Sequence, residues 1–213
     1  MGDGDIGFVL RRATVEDADA LAVLATRTFV ETYAAGNDPA DLAAYVAANF
    51  RADDLVGHLQ DPTRRCMVAD SGGALVGYVS VHSGSRPDPV THPSAIELSR
   101  LYVESAWQGR GLGSALLGAA IGEALALGGK ALWLGVWERN ERAIAFYSRH
   151  GFEQVGVHTF TVGEDVQLDH LMVRTRLGRG GVQEAVGAED GERARPLVGR
   201  QRAGGGRAGV GGP

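Results

Sequence analysis

Gln108-Gly109-Arg110-Gly111-Leu112-Gly113-Ser114 lies between a run with strand character, Ala95 to Val103, and one with helical character, Gly111 to Leu127. The amides that open a helix have no intrahelical partner and carry the positive end of its dipole. Glycines let an anion approach those amides, because no Cβ stands in the way. A strand, a glycine turn and a helix in this order form either a cradle for a diphosphate or an ordinary tight strand–helix connection, and the surroundings decide between them. The dinucleotide pattern G-x-G-x-x-G fails in both frames, since Ser114 and Leu116 stand where the third glycine belongs. The Walker pattern fails as well, because Gly129-Lys130 is followed by Ala131 at the start of a strand-like run.

Outward from this turn the apolar periods alternate. Ile6 to Ala13 reads as a strand. Thr14 opens a helix, with Asp17 three residues on as in a capping box, and Ala18, Leu21, Leu24, Ala25, Thr28 and Phe29 keep helical spacing toward Tyr33. Asn37-Asp38-Pro39 opens a second helix, and Asp53 to Gln60 forms a short third. Arg64 to Ala69 and Ala74 to His82 are strands joined by the hairpin signal Asp70-Ser71-Gly72-Gly73. A Pro-rich loop, 85–93, precedes the strand Ala95 to Val103. After the glycine turn and its helix come a strand (Ala131 to Trp137), a helix (Glu141 to Arg149) and two strands (Phe152 to Phe160 and Val166 to Arg174). The fold class is therefore α/β, a mixed sheet with helices on its faces. In the strand 95–103, strict alternation puts Glu97, Ser99 and Leu101 on one face and Ile96, Leu98 and Arg100 on the other.

The 213 residues divide at Leu177. Residues 1–177 form one domain. Residues 178–213 are Gly- and Arg-rich, with no aromatic and no sustained period, and read as a disordered tail. The tail carries +2 and the whole chain −5, which leaves −7 on the domain. An acidic domain favours cationic partners and argues against nucleic acid. The acidic start, Met1-Gly2-Asp3-Gly4-Asp5, has no apolar stretch after it, and no run is long enough to span a bilayer, so a cytoplasmic protein without a membrane partner is expected. Cys66 is the only cysteine and reads as a small core residue. The six histidines show no metal-ligand spacing, and no metal is expected.

The chain resembles the GCN5-related N-acetyltransferase (GNAT) superfamily. Its most diagnostic motif, Gln/Arg-x-x-Gly-x-Gly/Ala after a strand, is met by Gln108, Gly111 and Gly113. A second motif comes later as Asn140-Glu141-Arg142-Ala143-Ile144-Ala145-Phe146-Tyr147-Ser148-Arg149-His150-Gly151-Phe152. The likeness runs over roughly residues 6–176. Within the superfamily, Ile96 to Val103, Trp133 to Glu138 and His158-x-Phe160-x-x-Gly163-x-x-x-Gln167-x-Asp169-x-x-Met172 look like the Pai-type bacterial spermidine/spermine acetyltransferases, and Thr28-Phe29-x-Glu31-Thr32-Tyr33 fits them loosely.

The resemblance implies an acetyl-CoA-dependent transfer to a primary amine, a polyamine in the narrower reading. A protein N-terminus, a lysine or an aminoglycoside is the alternative acceptor, and a non-catalytic acyl-CoA-binding module is the rival from another class. It implies Tyr147 as the acid at the thioester sulfur and Glu97, eleven residues before Gln108, as the base. For the CoA it implies main-chain pairing along Leu101, Tyr102 and Val103 and pyrophosphate on Gln108, Gly109, Arg110, Gly111, Leu112, Gly113 and Ser114. Asn140 is expected near the thioester arm and Arg149 at the adenosine phosphate. Glu31, Tyr33, Trp137 and Glu138 are the candidate acceptor residues, and a homodimer is an open expectation. Cys66 lies outside the motifs, so direct transfer is expected rather than an acetyl-cysteine intermediate.

Overall fold

The computed structural model describes residues 7–84, 86–162 and 165–178. The tail assigned to 178–213 therefore lies outside the described residues beyond Gly178. The elements are β1 (Val9–Arg12), α1 (Ala18–Tyr33), α2 (Pro39–Asn49), α3 (Ala52–Gln60), β2 (Arg64–Ser71), β3 (Ala74–His82), β4 (Ala95–Val103), α4 (Leu112–Ala126), β5 (Ala131–Trp137), α5 (Glu141–Arg149), β6 (Glu153–Val162) and β7 (Asp165–Arg174). Single 3-10 turns lead into α1, follow it, and precede the glycine turn. The Thr14 amide donates to the Asp17 carboxylate at 2.8 Å, so the expected cap opens α1 through a short turn. Asp38 caps α2 ahead of Pro39, as its sequence predicts.

Seven strands form one sheet in the order β1-β2-β3-β4-β5-β7-β6. Every neighbouring pair is antiparallel except β4 and β5, which run parallel and share only three paired positions, Ala95 with Ala131, Ile96 with Leu132 and Glu97 with Trp133. Beyond Glu97, β4 continues on β3 alone, while β5 continues on β7. The sheet thus opens into a cleft, and one backbone edge of Leu98 to Val103 is left without a ladder partner.

One face of the sheet packs on α4 and α5, where Leu98, Leu101, Leu112, Leu116, Leu134 and Tyr147 share a core. The other face carries α1, α2 and α3, with Leu21, Phe29, Tyr33, Tyr78, Tyr102 and Trp137 in a second core. Gly77 has no Cβ because one would lie 3.0 Å from Leu116 and from the Tyr102 carbonyl.

The strict alternation expected for β4 does not hold. Ser80 pairs with Arg100 and Val81 with Leu98, so Ser99 is an extra residue, a β-bulge. The bulge reverses the facing of the residues after it. Ile96, Leu98, Leu101 and Val103 all belong to the α4-side core, while Arg100 lies over Phe50 on the α2–α3 side, its guanidinium 4.6 Å from the ring centre. One inserted residue moves every later side chain to the opposite face.

Candidate active site

The glycine turn sits at the mouth of the cleft. Gly109 and Gly111 hold φ of +75° and +79°, the left-handed region that L side chains avoid. A Cβ on either would meet no atom of the protein within 4 Å. What demands glycine is backbone conformation and open space above the turn, not close packing below it. Gly111 is the N-cap of α4 and supplies no side chain. The first helical bond runs from the Ala115 amide to the Gly111 carbonyl, so the amides of Leu112, Gly113 and Ser114 precede the intrahelical ladder. These residues fit the diphosphate of a CoA-type ligand.

The turn is braced from both sides. The Gln108 side-chain amide donates to the Val103 carbonyl at 3.0 Å, and its oxygen accepts from Arg142 at 2.8 Å. Gln108 therefore ties the end of β4 to the start of α5. Arg110 is exposed, its guanidinium 5.8 Å from the Trp107 ring centre. Ser114 lies 3.1 Å from His150 Nε2, and His150 Nδ1 lies 2.8 Å from the Phe146 carbonyl. A carbonyl can only accept, so Nδ1 carries the proton and, in the neutral ring, Nε2 accepts from the Ser114 hydroxyl. Arg149 is exposed on the last turn of α5, and its charge, after burial, holds the Arg142 guanidinium below its ordinary range.

Across the cleft, Asn140 caps α5, its side-chain oxygen accepting from the Ala143 amide at 3.1 Å. One face of α5 is buried, and it carries Ala143, Phe146 and Tyr147 inward. Tyr147 is fully buried between Phe146 and Phe152, with ring centres 5.3 and 5.4 Å away. Its hydroxyl has no hydrogen-bond partner among the described residues. A buried phenol left so is costly in a folded interior, a cost that a bonded ligand atom would remove. Burial, with Tyr33 nearby as a smaller cause, pushes the Tyr147 phenol well above its ordinary range, so it stays protonated at neutral pH.

Tyr33 and Trp137, both buried, meet with ring centres 6.0 Å apart, and Trp137 also packs under Gly36. The structure therefore brings these two candidate acceptor residues together, near Tyr147. Glu138 comes next at the end of β5 and is half-buried, whereas Glu31 is exposed on α1. Glu97 Oε2 lies 3.5 Å from His82 Nδ1, directly across the β3–β4 ladder, an ion pair only when the imidazole is protonated. Leu101, Tyr102 and Val103 pair with β3 on one side and leave their cleft-side edge outside any ladder.

Two participants were not legible as site residues. Arg142 appears in the motif but has no local reason to brace a glutamine on the far side of the turn. His82 becomes a partner of Glu97 only through the strand register. Cys66 is half-buried, and burial pushes its thiol up to about 12, which suits a packing residue and not a nucleophile. Among the described residues there is no cluster of His, Cys, Asp and Glu able to hold a metal, and no helix long and apolar enough to cross a membrane.

A parallel strand pair that parts ahead of a glycine turn, with a buried phenol on α5 that no described residue bonds, fits a transferase built around an acyl-CoA thioester. The family model described as "Acetyltransferase (GNAT) family" matches residues 20–152, and the chain belongs to that family. It is an acetyl-CoA-dependent N-acetyltransferase, with acetyl-CoA as its co-substrate. An uncharacterized N-acetyltransferase of Mycobacterium tuberculosis is 35% identical over 158 residues, covering 74% of this chain and 97% of its own. The N-alpha-acetyltransferase RimI of the same organism is 33% identical over 144 residues, 68% of this chain and 77% of its own. The spermine/spermidine N(1)-acetyltransferase of Bacillus subtilis is 32% identical over 100 residues, 46% of this chain and 65% of its own. Among solved structures, the PaiA N-acetyltransferase of Thermoplasma acidophilum in complex with coenzyme A superposes with a TM-score of 0.65 at 19% identity, over 79% of this chain and 99% of that one.

Proposed function

We propose that the chain acetylates a primary amine by direct transfer within a ternary complex, with Tyr147 as the acid and Glu97 as the base. The observation that carries this is the fully buried Tyr147 hydroxyl on α5, which has no hydrogen-bond partner among the described residues. Acetyl-CoA supplies the activated acyl group. The amine nitrogen forms a bond to the thioester carbon as the C–S bond breaks. Glu97 takes one proton of the incoming ammonium, Tyr147 gives its proton to the departing sulfur, and the second nitrogen proton, released as the amide forms, returns the tyrosinate to the phenol. In this reading the Leu112, Gly113 and Ser114 amides hold the pyrophosphate and the free edge of Leu101 to Val103 holds the pantetheine amides. Asn140 lies near the thioester arm, and Arg110 and Arg149 are the candidate cations for the phosphates.

The acceptor we propose is a polyamine. The likeness to the Bacillus subtilis enzyme named for spermine and spermidine supports this, as does the acidity of the domain. Tyr33 and Trp137 would line the methylene chain, with Glu31 and Glu138 available to remote ammonium groups. The likeness to RimI supports a protein N-terminus as the second reading.

The test is CoA release from acetyl-CoA with spermidine, spermine, putrescine, amino acids, a peptide N-terminus and an aminoglycoside. Turnover confined to polyamines supports the acceptor. Turnover on peptides alone keeps the chemistry and removes the polyamine. CoA release with none of these amines, despite acetyl-CoA binding, leaves neither proposed acceptor standing.

A further inference from the structure

Ser114 is the third residue of α4 and is exposed at the glycine turn, where its amide precedes the helical ladder. Its hydroxyl lies 3.1 Å from Nε2 of His150, the C-cap of α5. Three contacts hold that imidazole in place. Nδ1 lies 2.8 Å from the Phe146 carbonyl, the ring packs on the Phe146 ring with centres 4.3 Å apart, and the His150 carbonyl accepts from Arg174 of β7 at 2.9 Å. The side chain thus joins the end of α5 to the start of α4 in one geometry.

This geometry is poorly suited to an anion while the ring is neutral. A hydroxyl has one proton to give. The Phe146 carbonyl obliges Nδ1 to carry the ring proton, so Nε2 is bare and takes the Ser114 proton. Only oxygen lone pairs are then left for a phosphate, and these repel it. A second ring proton, on Nε2, reverses the bond. The imidazolium donates to Oγ, and the hydroxyl proton is released for another acceptor. The charges facing the ring are positive: Arg149 adjoins it on α5, and Arg174 of β7 holds its carbonyl. The side of α4 it meets has no charged residue before Glu123, and no carboxylate bonds either ring nitrogen. A bound diphosphate would balance these cations and the added proton together.

We propose that His150 is a positioning residue for the cofactor: it takes a proton from solvent onto Nε2 when the diphosphate seats on the turn, and so aims the Ser114 hydroxyl proton at a phosphate oxygen. The hydrogen bond gained is charge-assisted, and none is lost, because Ser114 and His150 stay paired with donor and acceptor exchanged. Imidazoles change charge between about pH 5 and 8, so affinity is highest on the acid side of that range and falls as pH rises through it. This role rests on the glycine turn being the diphosphate site.

The experiment is a calorimetric titration of the full chain with 3′-dephospho-CoA, which keeps the diphosphate and lacks the phosphate monoester that would itself titrate near neutral pH. Run in two buffers of different ionisation enthalpy, it should show a fraction of a proton taken up per ligand bound. Affinity should be roughly 10-fold higher at pH 6 than at pH 8. Both effects should vanish in His150→Gln, whose amide can donate to Ser114 at every pH. Ser114→Ala should bind roughly 10-fold more weakly than the wild type at pH 6 and no more weakly at pH 8. Ser114 is exposed, so this variant serves where His150→Gln fails to fold. Proton uptake unchanged in a folded His150→Gln, or wild-type binding with no uptake and no dependence on pH, overturns the role of His150. Native dephospho-CoA affinity in Gly111→Ala would remove the diphosphate site itself, and His150 with it. Weakened binding in Gly111→Ala, beside a wild type that takes up no proton, keeps the turn and removes His150 alone.

Discussion

Replacing Gly111 by alanine separates two roles of the same residue. Its φ of +79° lies in the left-handed region, where an L side chain costs about 1–2 kcal/mol. Apart from its own neighbouring backbone, no described atom lies within 4 Å of the added Cβ, so no tertiary clash adds to that figure. For a domain of this size the cost corresponds to a Tm lower by about 2–8 °C. The Cβ would, however, stand in the open space above the amides of Leu112, Gly113 and Ser114, where the pyrophosphate is proposed to sit. Loss of one amide–phosphate bond, about 1.5–3 kcal/mol, weakens acetyl-CoA binding roughly 10- to 100-fold. Calorimetric titration with acetyl-CoA, beside thermal unfolding of the free protein, reads both quantities. A variant with the expected Tm loss and native affinity would refute the assignment of the turn as a phosphate cradle and leave Gly111 as a helix cap alone.

Asn140→Ala removes the α5 cap and should lower stability by about 1 kcal/mol in urea unfolding; an additional rise in KM for acetyl-CoA is expected if its side chain also serves the cofactor. Glu97→Gln should reduce kcat/KM about 100-fold or more at neutral pH, with acetyl-CoA affinity unchanged by titration. Asp17 is held down at about 2 by Arg11, which bonds it at 2.7 Å, against an ordinary 3.8. A carboxylate with a depressed folded pKa stabilises above its unfolded pKa and loses that contribution as pH falls through the folded value. The stability gap between wild type and Asp17→Asn should thus be full above about pH 4 and vanish toward pH 2 in acid unfolding curves.

Much of the scaffold could be read locally, because its signals are local. The Thr14–Asp17 cap, the Asp38-Pro39 start and the Gly72-Gly73 hairpin each set an element within a few residues of where it stands. The glycine turn was legible for the same reason, since positive φ and a missing Cβ are properties of the residues themselves. The facing of β4 was not. Alternation assumes one residue per pleat, and nothing in Leu98-Ser99-Arg100 announces that Ser99 is extra until β3 is laid beside it. That single bulge decides whether Arg100 joins the α4-side core or the α2–α3 side. The cleft was equally hidden, because the parting of β4 from β5 after Glu97 depends on what each strand finds on its other edge. Gln108–Arg142 and Glu97–His82 are contacts between segments distant in sequence, and they became visible only with the sheet assembled.

Tyr147→Phe tests most directly whether Tyr147 protonates the departing thiolate, the step on which the proposed chemistry turns. The substitution removes one hydroxyl that no described residue bonds, so the fold should be retained, with thermal stability no lower than that of the wild type. With saturating acetyl-CoA and an amine that the wild type acetylates, kcat should fall about 100- to 10,000-fold while acetyl-CoA affinity stays within about threefold. A variant that releases CoA at the wild-type rate would contradict that role and require another source for the proton.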